Sequence, residues 1–107
     1  DVYKRQVLDV LNSKHSYEDK VSRILAISGT WMNAASGSQW ALGPLSRTAY
    51  SERVGIGVRW GEIAFSPLLN VAENLIDAYP TWPGVLREFA ENQEFNRDYF
   101  SQRLKEI

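Results

Sequence analysis

The chain has 107 residues, 44% of them apolar and 23% charged, which is the balance of one globular domain with its own core and excludes a composition-driven disordered segment. It contains no cysteine, so a disulfide framework, a thiolate metal site and a cysteine nucleophile are all excluded. No apolar run reaches the roughly 20 residues that span a bilayer. The expectation is a soluble protein with no membrane partner, placed in the cytoplasm. A net charge of −1 conceals an asymmetry, because residues 1–60 carry +3 and residues 61–107 carry −4. Such a dipole favours helices docking through opposite faces, or association between chains, over the uniformly basic surface of a nucleic-acid binder.

The opening hexapeptide Asp1-Val2-Tyr3-Lys4-Arg5-Gln6 resembles the translation of a sequencing-adaptor element, the transposon mosaic end. That resemblance implies that residues 1–6 are a non-native segment. Residues 7–107 are then a single helical domain or a fragment of a larger one, with sequence missing upstream.

Val7, Leu8, Val10 and Leu11 form a short apolar stripe that reads as the end of a helix stopping at Asn12-Ser13. Ser16 followed by Glu18 and Asp19 supplies an N-cap hydroxyl and acids in a first turn, where they complement the helix dipole. From there Val21, Ile24, Leu25, Ser28, Trp31, Met32 and Ala35 recur at three- and four-residue steps and predict a helix to about Ala35. Ser36-Gly37-Ser38 ends it. The interval from Ser36 to Arg47, punctuated by Gly43-Pro44, reads as loop held by Trp40 and Leu42.

Val54, Ile56, Val58 and Trp60 alternate with Gly55, Gly57 and Arg59, a period of two that suits a β-hairpin around residues 53–65. A helix also fits, at a cost of about 1 kcal/mol for each interior glycine. Ser66-Pro67 has the form of an N-cap and first helical residue, and the apolar residues from Leu68 to Tyr79 predict a central helix stopped by Pro80. Leu86, Phe89, Ala90, Tyr99, Phe100 and Leu104 trace a last amphipathic segment, interrupted near Asn92. The predicted fold is mainly α, a small bundle of about four to five helices.

Chemistry is sparse in this pattern. The run from Gly55 to Gly61 lacks the spacing of a dinucleotide fingerprint, since Trp60 occupies the position of the third small residue, and it lacks the Lys-Ser/Thr of a Walker loop. The single histidine, His15, falls in a polar break with no nucleophile-elbow pattern near it. Glu88, Glu91, Glu94 and Asp98 share a helix face but are interleaved with Arg87 and Arg97, which predicts ion pairs and not a di-metal site. No catalytic residue, cofactor or metal is assigned.

The one stretch in which basic and aromatic residues interleave is Trp40, Arg47, Arg53, Arg59 and Trp60, the candidate interaction surface. The leading expectation is a non-catalytic domain that mediates packing or protein association, with itself or with the missing part of its own chain, weakened by salt. A single-stranded nucleic-acid module built on those five residues is the first alternative. A helical fragment of an enzyme whose active site lies upstream is the second.

Overall fold

The computed structural model describes residues 2–44, 53–62 and 64–106. Its elements are α1 (Val2–Leu11), α2 (Tyr17–Ser36), β1 (Gln39–Pro44), β2 (Val54–Trp60), β3 (Ala64–Pro67), α3 (Leu69–Ala78) and α4 (Val85–Lys105). The fold is mainly α, with four helices and a three-stranded antiparallel sheet of order β1-β2-β3.

Local chemistry sets the helix ends. Ser16 lies in extended backbone and its Oγ accepts the Asp19 N–H at 3.2 Å, so the predicted N-cap starts α2. At the other end Gly37 adopts φ 72°, where a side chain is strained, and its N–H donates to the Asn33 carbonyl at 3.1 Å. The turn before α2 is fastened by Lys20, whose Nζ donates to the Leu11 carbonyl at 3.2 Å and places a cation at the C-terminus of α1. α1 continues N-terminally through residues 2–6, with the Tyr3 ring stacked on Trp31 at 5.4 Å and Lys4 paired with Glu94 at 3.2 Å.

α2 is the hub, packed against α1, α3, α4, β1 and β2. Val7 and Leu11 of α1, Val21 and Ile24 of α2, Ala72, Leu75 and Ile76 of α3, and Phe89 of α4 form the larger core. A smaller core lies where the sheet meets the helices, built from Met32, Val58, Trp60 and Leu68. Gln93 is buried beside Phe89 and Ala90 on α4, and its Oε1 has no hydrogen-bond partner among the described residues.

Three expectations are corrected. The interval from Ser36 to Arg47 is not mostly loop, since Gln39–Pro44 is strand β1, paired residue for residue with β2. Ser66-Pro67 does not open a helix. Both residues close β3, Pro67 opposite Gly57, and α3 begins at Leu69 with no side-chain cap. Pro is tolerated there because it stands at the end of an edge strand, where its missing N–H breaks no ladder. Finally, α4 runs unbroken through Asn92. Of the two readings of residues 53–65, the strand reading holds for the described positions: β2 turns back into β3 through Gly61, at φ 55°.

Candidate interaction surface

The ladder sorts side chains by face. In β1–β2, Trp40 lies opposite Val58, Leu42 opposite Ile56 and Pro44 opposite Val54. Because side chains alternate along a strand, Trp40, Leu42, Val54, Ile56, Val58 and Trp60 share the face turned to the helices. Ala41, Gly43, Gly57, Arg59 and Phe65 share the opposite one.

Coverage of the helix-side face is uneven along the strands. Val58 and Trp60 are fully enclosed. The Trp60 Nε1–H donates to Ser36 Oγ at 2.7 Å, Ser36 Oγ donates on to the Met32 carbonyl at 2.6 Å, and Phe100 stacks on the indole at 4.3 Å. Every polar atom of that relay is satisfied, which fixes Trp60 as core. Toward the Pro44 end the helices no longer cover the sheet: Trp40 is 42% exposed, Val54 62% and Leu42 70%. Trp40 marks the border, its ring lying against Gly29 of α2, where a Cβ would collide with it.

On the outer face one ring covers the glycines. Phe65 lies across Gly43 and Gly57, and the Arg59 guanidinium stands over that ring at 5.5 Å. Gly57 must lack a side chain, because a Cβ there would meet the Ser66 backbone carbonyl. Its smallness serves the close approach of two strands.

The four predicted surface residues that are described, Trp40, Arg53, Arg59 and Trp60, therefore do not form one surface. Trp40 is half-exposed on the helix side and Trp60 is enclosed on that same side. Arg59 is exposed on the outer face, Arg53 is exposed just before β2, and Arg47 lies outside the described residues. Leu42 and Val54, which residue-type reasoning passed over, complete the apolar patch beside Trp40. Their signal was the two-step spacing of Trp40 and Leu42, the same alternation that marks β2.

Elsewhere several charged side chains pair with one another. Arg87 pairs with Glu91 at 3.0 Å, Arg97 with Asp98 at 3.0 Å, and Lys4 with Glu94. The cleft of about 540 Å³ beside α4 is lined by Lys4, Arg87, Glu91 and Glu94, so those pairs neutralise its charges. His15 is exposed between α1 and α2. Partial desolvation, together with the Asp77 carboxylate that accepts a hydrogen bond from its hydroxyl and the nearby Glu73, pushes the Tyr17 phenol above the ordinary tyrosine value. Among the described residues no three or more His, Asp or Glu side chains converge as metal ligands, and no helix is long and apolar enough to cross a membrane.

The architecture places the chain among mainly α domains that carry a small antiparallel meander. Comparison with protein families, with characterised proteins and with solved structures gave no match.

Proposed function

We propose that this chain is a non-catalytic module that associates with protein through the uncovered end of its sheet. One observation carries the reading: Trp40, Leu42 and Val54 stand side by side, all substantially exposed, on the face that the helices cover elsewhere. Water contact with such a contiguous patch costs about 25 cal/mol for each Å², a cost that association removes. A Trp at the patch border has the character of an interface anchor, since it offers a large rigid area that loses little entropy.

The charge dipole led to the expectation that salt weakens association. The patch leads to the opposite expectation, because its residues are neutral and screening acts only on charges. The test is sedimentation velocity over a rising concentration series, at low and high salt, for the wild-type chain and Leu42→Lys. Leu42 is exposed enough for the lysine to leave the fold intact, which circular dichroism checks. The expected result is association in the wild type, little changed by salt, that Leu42→Lys abolishes. Monomeric wild-type protein throughout, or association indifferent to Leu42→Lys, overturns the reading.

The single-strand reading has weaker support. Stacking platforms and phosphate contacts have to share a surface, whereas Trp40 and Arg59 lie on opposite faces and Trp60 is enclosed.

A further inference from the structure

We propose that β1 pairs antiparallel with β1 of a second copy of this chain, joining two three-stranded sheets into one six-stranded sheet across a two-fold axis. This rests on the association reading above and specifies its partner and geometry.

The backbone defines the class of partner. β1 is the first strand in the order β1-β2-β3, so alternate residues direct their N–H and C=O groups away from β2. A row of donors and acceptors at strand spacing is satisfied along its length by another extended strand. The other edge is poorer: β3 has four residues against the six of β1, and its last, Pro67, has no N–H.

Charge is compatible with a copy of the same chain. In a two-fold interface residue i meets residue j and j meets i, and a strand with no charge meets its own copy without like-charge repulsion. The strand Gln39-Trp40-Ala41-Leu42-Gly43-Pro44 holds no ionisable residue, whereas the exposed face of α4 is rich in them. Several devices that ordinarily blunt an edge are absent from β1 itself. β1 carries no lysine or inward-pointing charge, its register with β2 is continuous from Gln39 to Pro44 without a bulge, and its one proline is terminal.

Symmetry then restricts the register, and centres at Ala41 and Leu42 are the two that keep most of the six-residue strand paired. An axis perpendicular to the sheet keeps each face on its own side, and facing residues share a face, so the axis passes through a residue of β1. Centred on Ala41, the pairing sets Trp40 against the partner copy's Leu42 on both sides of the axis. This aromatic–aliphatic contact adds to the backbone bonds and sets the two exposed patches side by side, where Trp40 and the partner copy's Leu42 shield one another's flanks. Centred on Leu42, the axis brings the two Leu42 side chains together.

The natural absence of cysteine makes the test clean. Single cysteines are placed by Ala41→Cys, Leu42→Cys and, as a control far from the sheet, the exposed Thr81→Cys, in the full chain. Each is oxidised, or treated with a short bifunctional maleimide, at concentrations where sedimentation reports the wild-type oligomer. The expected result is a covalently linked dimer as the main product of Ala41→Cys, at several times the Thr81→Cys yield. A main product from Leu42→Cys instead supports the pairing in its second register. If sedimentation reports an oligomer but neither strand cysteine links above the control, strand pairing is wrong while association through the patch stands. A monomer at every concentration overturns both.

Discussion

The two cores of this small domain are built differently. Between the helices, Val7, Ile24, Leu75 and Phe89 interlock from four separate elements, and stability comes from apolar volume alone. At the sheet the core is four side chains, and it depends on particulars: an indole satisfied by Ser36, a glycine that lets two strands touch, and a ring laid over bare backbone. The residues of the helical core are buried, while the sheet is covered at its Trp60 end and open at its Leu42 end. A layer that covers only half of its apolar face has either surplus area or a partner, and the neutral edge strand beside the opening favours the partner.

The contrast can be broken from either side. Leu75 is 2% exposed, and Leu75→Ala leaves a cavity bordered by elements that pack on one another. It is expected to lower stability by about 3 kcal/mol, read as a fall in the urea midpoint at constant slope. Gly57→Ala tests the sheet in the opposite sense, by adding volume. The new methyl meets the Ser66 carbonyl and the Phe65 ring, so β3 has to move, and a loss of about 2 kcal/mol is expected. The two losses should differ in kind: Gly57→Ala disturbs the sheet side and increases Trp60 exposure to quencher, whereas Leu75→Ala leaves the Trp60 environment unchanged in the folded state.

Smaller changes sharpen the picture of the helical side. Gln93 is 3% exposed and its Oε1 lacks a partner among the described residues, an isolated polar flaw in an apolar interface. Gln93→Leu keeps most of the volume and removes the flaw, so a gain of about 1 kcal/mol is expected in the same urea assay. A loss would mean that the amide makes a bond in solution. The smallest effect concerns Tyr17, whose folded pKa is raised. The folded state then holds the phenolic proton more tightly than the unfolded chain, so its contribution is complete below pH 10.0, the ordinary tyrosine value, and is lost as pH rises through the folded value. Alkaline unfolding should therefore be less steep for Tyr17→Phe than for the wild type, with the difference between the curves largest near neutral pH and shrinking as pH rises.

What could be read from residues alone follows how far each determinant lies along the chain. The start of α2 is set by Ser16 and Asp19, three residues apart, and was legible. Its end is set by Gly37 and was equally so. β2 was ambiguous because alternating glycines fit a strand and, at a cost, a helix. The deciding fact was a partner strand at Gln39–Pro44 that Gly43-Pro44 disguised as loop. Ser66-Pro67 satisfied a local rule for helix starts, and pairing with Val58 and Gly57 overrode it. The placement of the described candidate surface residues was illegible for the same reason. Arg59 and Trp60 are neighbours in sequence, and strand alternation sends them to opposite faces. The burial of Trp60 depends on Ser36, 24 residues earlier, which no local pattern encodes.

Amide hydrogen exchange on peptides covering residues 38–44, followed as the wild-type concentration rises, tests the open sheet end most directly. If β1 is a pairing edge, its outward amides exchange fast in dilute protein and gain protection as the concentration increases, while peptides from α4 stay unchanged. Exchange in β1 that is independent of concentration, or protection that develops on α4 instead, would contradict the account.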